Sequence, residues 1–172
     1  SIAINPDLWE VHFNLGGSYW EQGLLHDALA AYLRAFELNP HSTQLMLYMG
    51  TVYGELAEFE KAYLYLNKAL EMEPENAQAH LALGFIENSQ GRIIDSLKHY
   101  KRAYLAEGGH AIAHSNYLFA MHYDPSVTPQ EIHAESKAWA ARYADAIPHR
   151  THANDADPTR KLRIGYVSAD LW

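Results

Sequence analysis

The chain has 172 residues, which suits one domain or one domain with a fragment of a second, and its 48% hydrophobic and 20% charged residues are typical of a globular protein. The formal net charge of −8, from 13 basic and 21 acidic residues, argues against a nucleic-acid partner, because proteins that bind phosphate backbones carry a basic face. No apolar run approaches the roughly 20 residues of a membrane-spanning helix, and the absence of cysteine excludes disulfides and thiolate metal sites. We expect a cytoplasmic protein with no membrane or nucleic-acid partner.

A period of 34 residues runs through the first two thirds of the chain. Small residues recur where two helices would have to approach closely, and large apolar residues recur where a gap between helices would have to be filled. A proline closes successive units because it cannot continue a helix, although Gly108 stands where the next proline would be. The small residues are Gly16, Gly50, Gly84, Ala28, Ala62 and Ser96; the large ones are Leu15, Met49, Leu83, Tyr32, Leu66 and Tyr100; the prolines are Pro6, Pro40 and Pro74. This spacing matches the tetratricopeptide repeat (TPR) and predicts an all-α right-handed superhelix of antiparallel helix pairs.

In chain order, residues 1–6 read as the end of a repeat, so we expect the native N-terminus to lie upstream. Three helix pairs follow, and glycines at 23 and 91 suit the left-handed turn inside the first and third pairs. Ala57 takes that place in the second pair, where we expect a less comfortable turn. The predicted helices span 7–21 and 25–38, 41–55 and 59–72, and 75–89 and 93–106, and one further helix spans 110–122.

The composition changes after these repeats. Asp124 and Pro125 end the last periodic helix, and Thr128 with Glu131 forms a capping box that opens another helix. Residues 148–160 are polar and rich in proline, which indicates a linker. The apolar, β-branched run at 162–168 predicts a strand without partners, and hence the start of a second domain. We therefore divide the chain into repeats (1–109), degenerate repeat and junction helices (110–147), linker (148–160) and the first strand of a truncated domain (161–172).

The junction and the strand resemble a known family. Residues 117–125, 128–132 and 138–142, together with Arg160–Asp170 (RKLRIGYVSAD), resemble the corresponding region of bacterial O-GlcNAc-transferase-like glycosyltransferases. The resemblance implies a two-lobed GT-B catalytic region beyond Trp172, which would transfer a sugar from a nucleotide-sugar donor such as UDP-GlcNAc to protein Ser or Thr. It also implies that the repeats recruit acceptor proteins. The family's catalytic residues lie downstream, so this chain should hold no catalytic residue and no cofactor, and should itself be inactive.

The first helix of each TPR pair lines the concave surface, which in such repeats binds extended peptides. A protein or peptide acceptor is therefore the expected partner. An alternative is that Phe13, Leu47 and Leu81 only complete the packing between repeats. The candidate groove residues are Glu10, Phe13, Asn14, Gly17, Trp20, Gln44, Leu47, Thr51, Gly54, Gln78, Leu81, Phe85, Asn88 and Asn116.

Asparagines on the inner face bind the acceptor backbone in the animal enzymes of the resembled family. Here Asn14 and Asn116 occupy that repeat position, but Tyr48 and Ala82 stand between them. The series is interrupted, so we expect backbone capture of that kind to be incomplete.

Histidine and tryptophan allow further hypotheses. His110 and His114 have the spacing of a zinc helix but lack its glutamate and a third ligand. His12, His80 and His114 recur at multiples of 34 residues, which favours a structural role over a metal site. We expect Trp9 and Trp139 to be core residues, whereas Trp20 could face the groove.

Two other functions remain open. A stand-alone TPR adaptor would have a protease-resistant C-terminal tail, whereas the glycosyltransferase interpretation expects ready cleavage after about Pro148. An RNA-binding helical repeat is disfavoured by the acidic balance. Exposed apolar residues at Ile2, Ile4 and Leu8, or the tail, predict self-association.

Overall fold

The computed structural model describes residues 8–107, 110–145 and 147, and these residues form eight α-helices. The predicted all-helical repeat architecture is confirmed in this part of the chain. The predicted linker at 148–160 and strand at 161–172 lie outside the described residues. The helices are α1 (Trp9–Glu21), α2 (Leu25–Leu38), α3 (Thr43–Glu55), α4 (Phe59–Met72), α5 (Ala77–Ser89), α6 (Ile93–Leu105), α7 (Ala111–Met121) and α8 (Pro129–Tyr143).

The first helices of the pairs begin about two residues later than predicted. Ser42 is the N-cap of α3, and its hydroxyl accepts a hydrogen bond from the backbone N–H of Leu45 at 3.3 Å. Asn76 caps α5 in the same way, through the N–H of Ala79 at 2.9 Å. Such caps satisfy backbone donors that have no partner within the helix, so the cap and not the preceding proline sets the helix start.

The predicted capping box at the start of α8 is confirmed. The Thr128 hydroxyl accepts from the backbone N–H of Glu131, and the Glu131 carboxylate accepts from the backbone N–H of Thr128 at 2.7 Å. Pro129 occupies the first helical position, where its missing N–H costs nothing. These signals are local, which is why the sequence pattern located this helix start correctly.

The periodic glycines mark the closest approach within each helix pair. A methyl group at Gly16 would lie 2.6 Å from the Tyr32 ring, and one at Gly84 would lie 2.5 Å from the Tyr100 ring. Both tyrosines are fully buried. The paired recurrence of glycine and a large residue in the sequence is therefore a packing requirement of the helix pair.

The turns inside the three pairs share one left-handed residue. Gly23 and Gly91 have φ values of 74° and 75°, and Ala57 adopts 58° at the equivalent position. A left-handed alanine is strained because its Cβ approaches the neighbouring carbonyl. The structure therefore confirms the expectation of a less comfortable turn in the second pair.

The main core lies between α1 and α5, and two expectations about it need correction. Leu15 was expected to fill a gap between helices, but it is 43% exposed, whereas the equivalent Met49 and Leu83 are buried. Met49 lies on α3, which packs against α2, and in the described residues no helix precedes α1 to cover Leu15. Trp139 was expected in the core but is only partly buried, since α8 packs on α7 without burying any of its own residues fully.

Candidate binding groove

One concave cavity of about 560 Å³ is lined by the first helices of successive pairs. The helices α1, α3, α5 and α7 contribute side chains to the same surface, while α2, α4 and α6 pack against the first helices of their pairs. The lining is mainly apolar, with a few polar side chains. It consists of Trp20, Leu47, Tyr48, Thr51, Glu55, Gln78, Leu81, Ala82, Phe85, His110, Ile112 and Asn116.

An aromatic cluster holds the α1–α3 side of the cavity in place. The Tyr48 ring meets Phe13 at 5.1 Å and Trp20 at 5.5 Å, both edge to face. Such contacts contribute about 0.5–1.5 kcal/mol beyond simple burial. The Trp20 indole N–H donates to both oxygens of Glu55, at 3.0 and 2.9 Å, which fixes both side chains.

The polar groups of the lining differ in how much hydrogen-bonding capacity they retain. The Thr51 hydroxyl donates to the Leu47 carbonyl at 2.9 Å, so its hydrogen is already used. Gln78 is exposed and Asn116 is partly buried, and both present amide groups that can donate and accept. Nδ1 of His110 is buried without a hydrogen-bond partner among the described residues. The cavity can therefore bind a polar backbone through amides while its apolar walls take side chains.

Two large apolar side chains of the lining remain in contact with solvent. Phe85 is 54% exposed and Ile112 is 62% exposed. They stand on adjacent first helices, α5 and α7, on the same concave surface. A ligand that covered both would remove substantial apolar area from water, at about 25 cal/mol per Å².

The predicted groove residues divide into two groups. Seven of them line the cavity, namely Trp20, Leu47, Thr51, Gln78, Leu81, Phe85 and Asn116. Among the others, Glu10, Asn14 and Gln44 are exposed, Asn88 is partly buried and Phe13 packs behind the wall against Tyr32 and Tyr48. The glycines at 17 and 54 are not part of the lining; Gly54 is buried against Ile86.

Sequence reasoning missed five lining residues: Tyr48, Glu55, Ala82, His110 and Ile112. Tyr48 and Ala82 had been noted only as interruptions of the asparagine series, although they occupy the same groove position. Ile112 stands 34 residues after Gln78, so carrying the period into the fourth unit would have found it. Glu55 stands 34 residues after Glu21, although serine occupies the next equivalent position, 89. Its place in the cavity wall is fixed by the contact with Trp20.

Two buried histidines lie outside the cavity and take structural roles. His80 Nε2 contacts the Pro74 carbonyl, and His80 Nδ1 lies 3.0 Å from His99 Nδ1. His114 stacks on Tyr104 at 4.0 Å and contacts Glu135 at 2.8 Å. Within residues 8–107, 110–145 and 147 no group of three His, Cys, Asp or Glu side chains could hold a metal ion. The same ranges contain no helix with the length and hydropathy needed to span a bilayer.

Burial shifts several titratable groups near these sites. It raises the pKa of Tyr32, beneath the groove, to about 12, and Tyr48, Glu21 and Glu55 act in the same direction. Burial also raises the pKa of Tyr104, to which its hydrogen bond with Glu135 adds. These phenols stay protonated at neutral pH, so they can act only as hydrogen-bonding and packing groups.

Comparison with known proteins identifies the repeats. Models of the tetratricopeptide repeat family match residues 9–42 and 44–76, so these segments are tetratricopeptide repeats, a scaffold for protein–protein interaction. No curated protein matches the chain in sequence.

Among solved structures, the chain is similar to an O-GlcNAc transferase mutant from Thermobaculum terrenum, with 26% identity and a TM-score of 0.81. That match covers 98% of this chain but 33% of the transferase chain, so this chain spans about a third of its length. A MamA protein is 21% identical over 84% of this chain and 81% of its own, with a TM-score of 0.68. The first TPR of Spaghetti (RPAP3), bound to the HSP90 peptide SRMEEVD, is 19% identical over 71% of this chain and 97% of its own, with a TM-score of 0.61. The last two likenesses concern the fold alone.

Proposed function

We propose that this chain is the acceptor-binding scaffold of a nucleotide-sugar-dependent protein glycosyltransferase. The observation that carries the proposal is the extent of the likeness to the O-GlcNAc transferase, which covers 98% of this chain at a TM-score of 0.81. The sequence resemblance at the junction and at 160–170 supports it independently. The sugar donor in this proposal is UDP-GlcNAc, bound by a catalytic region that the 172 residues do not include.

The groove is the part of the chain that would recruit acceptors. Its exposed apolar side chains, Phe85 and Ile112, offer binding area, and the amides of Gln78 and Asn116 can hydrogen-bond an extended backbone. An extended segment of an acceptor protein fits a surface that runs across the first helices of four successive units, α1, α3, α5 and α7. Ser and Thr side chains of that segment would then be carried toward the catalytic region.

The test uses the intact gene product that contains this chain. The purified protein is incubated with radiolabelled UDP-GlcNAc and cell proteins, and an excess of the free 172-residue chain is added as a competitor. We expect sugar transfer to protein Ser or Thr, and a decrease in labelling as the free chain captures acceptors. A gene product that binds proteins but transfers no sugar would contradict the proposal and favour a stand-alone adaptor.

Matched variants of the free chain test whether its competition for acceptors depends on the groove. Phe85→Ala in the free chain should weaken competition severalfold, because it removes an exposed groove side chain and leaves the core intact. Leu64→Ala is the control, since Leu64 is similarly exposed, at 50%, on α4 outside the cavity lining. Equal loss of competition in both variants would exclude the groove as the acceptor site.

A further inference from the structure

The basic residues of the described chain are distributed unevenly over the helices, whereas acidic residues occur on both the first and the second helices. Within the described residues, the four first helices α1, α3, α5 and α7 contain no lysine or arginine, whereas they carry the carboxylates of Glu10, Glu21, Glu55 and Glu87. The basic residues of the described ranges lie on α2, α4, α6 and α8 or in the turn before α6. They are Arg34, Lys61, Lys68, Arg92, Lys98, Lys101, Arg102, Lys137 and Arg142.

One carboxylate of this set lines the cavity and has no cationic partner. Glu55 is exposed, and in the described part of the chain it takes part in no ion pair, in contrast to Glu87, which pairs with Arg92. The two hydrogen bonds from Trp20 hold the Glu55 carboxylate at the edge of the apolar wall. Each carboxylate oxygen can accept more than one hydrogen bond, so the group retains capacity for a ligand.

From this arrangement we infer that the groove selects a basic, extended peptide segment in which an apolar side chain is followed closely by a lysine or arginine. The apolar side chain packs against Phe85, Leu81 and Ile112. The cation pairs with Glu55 and lies against the face of Trp20, where an aromatic ring adds cation–π attraction. This inference rests on the proposed function of the groove as a peptide site and specifies the chemistry of its partner.

The same arrangement disfavours an acidic segment. A peptide with a run of carboxylates would approach Glu55 and Glu21, and no Lys or Arg on the described groove helices would neutralise it. Like charges brought together at an interface suppress a wrong partner. The net charge of −8 acts in the same direction at longer range.

The experiment compares three terminally blocked peptides of about nine residues by fluorescence anisotropy with the full chain. All three have the same central Leu-Phe pair, flanked by lysines, by serines or by glutamates. We expect the lysine peptide to bind tightest, the serine peptide severalfold more weakly, and the glutamate peptide at least tenfold more weakly than the lysine peptide at low salt. Added salt should shrink these differences, because exposed charges are screened.

Two variants assign the selectivity to one group. Glu55→Gln keeps an acceptor for Trp20 and should weaken lysine-peptide binding about two- to fivefold, the range of an exposed ion pair, with no change for the serine peptide. Glu71→Gln on α4 removes the same charge from an exposed position outside the cavity lining and should leave all three affinities unchanged.

The outcomes separate this inference from the proposed function. Binding of the glutamate peptide as tightly as the lysine peptide, or an unaltered preference in Glu55→Gln, would overturn the basic-segment inference and leave the groove as a peptide site. Failure of all three peptides to bind would overturn both.

Discussion

Two buried tyrosines show that the contribution of a buried hydroxyl to stability depends on whether it has a hydrogen-bond partner. The hydroxyl of Tyr32 is buried without a hydrogen-bond partner among the described residues, whereas that of Tyr104 donates to Glu135 at 2.9 Å. An unsatisfied buried polar group costs about 1–3 kcal/mol, and a hydrogen bond to a charged acceptor contributes about 1.5–3 kcal/mol. The same substitution should therefore have opposite effects at the two positions.

We predict that Tyr32→Phe leaves stability unchanged or raises it by up to about 1 kcal/mol, and that Tyr104→Phe lowers it by about 1–2 kcal/mol. Urea unfolding followed by circular dichroism measures both. Each variant keeps the ring that packs in the core, so each serves as the control for the other. A clear loss of stability in Tyr32→Phe would mean that its hydroxyl has a partner in solution.

The left-handed alanine gives a second prediction at this scale. Ala57→Gly should stabilise the chain by about 0.5–1 kcal/mol, because relief of the strain at φ 58° exceeds the extra entropy of glycine in the unfolded chain. The reverse change at the equivalent turn, Gly91→Ala, should destabilise by about 1 kcal/mol. A methyl group at Gly91 would meet nothing within 4 Å, so that loss would be purely conformational. Thermal unfolding of the two variants tests whether Ala57→Gly raises stability and Gly91→Ala lowers it. A loss of stability in Ala57→Gly would refute the strain argument.

At the scale of helices, the parts that sequence could predict are those encoded locally or by the period. The helix pairs follow from the 34-residue spacing, and the start of α8 follows from Thr128 and Glu131. The period also predicts most positions of the cavity lining, because Tyr48 and Ala82 stand at the repeat position of Asn116. The contacts that hold the lining in place are not encoded by the period: Phe13 and Trp20 meet the Tyr48 ring from the neighbouring first helix. Trp20 also holds the Glu55 carboxylate. Leu15 fits the periodic pattern yet is exposed, since burial needs a neighbouring helix as well as the right residue.

The docking of α8 gives the prediction for this scale. This helix has no fully buried residue, and Glu135 accepts from Tyr104 on α6 and contacts His114 on α7. We predict that Glu135→Ala increases hydrogen exchange of the α8 amides about tenfold or more. The reason is that losing these contacts should lower the free energy of local opening of α8 by about 1.4 kcal/mol or more. Helices α1 to α4 should be unaffected, because each repeat contacts mainly its neighbours.

Hydrogen exchange read by mass spectrometry resolves the helices separately. Lys137→Ala is the matched control, because Lys137 lies on the same helix and is exposed. Faster exchange in Lys137→Ala to the same extent would indicate a general weakening of α8 rather than the loss of the Glu135 contacts. Faster exchange throughout the chain would show that the repeats unfold as one unit.

The stability of the whole molecule should depend on pH through the His80–His99 pair, which joins α5 to α6. The Pro74 carbonyl can only accept, so His80 Nε2 carries the hydrogen and His80 Nδ1 accepts from His99 Nδ1–H. Burial is the main cause that lowers the pKa of both rings. At His80, Arg102 lowers the pKa further, whereas the Pro74 carbonyl and Glu75 raise it. At His99, His80 and Arg102 lower the pKa further, whereas Glu87 and Asp95 raise it. Both rings are therefore neutral in the folded protein at neutral pH.

Because the folded pKa values lie below the unfolded value of 6.5, the unfolded chain takes up protons first as the pH falls. Stability should be fully present above pH 6.5 and should decrease as the pH falls through 6.5 toward the folded pKa values, by at most about 1.4 kcal/mol per pH unit for each histidine. The free energy of unfolding, measured in urea from pH 8 to pH 5, tests this. The window stays above the range in which Asp95, Asp124 and Glu131, whose pKa values are lowered, would begin to contribute.

His99→Gln isolates the pair, because the glutamine amide can still donate to His80 Nδ1 while one titrating ring is removed. We expect a shallower decrease of stability with acid in this variant, and an unchanged decrease in His41→Gln, which alters an exposed histidine in the turn before α3. Identical pH profiles for wild type and His99→Gln would contradict the prediction. The helix α5 carries Phe85 of the groove wall. If acid weakens the contact between α5 and α6, the groove wall should therefore become less stable over the same pH range.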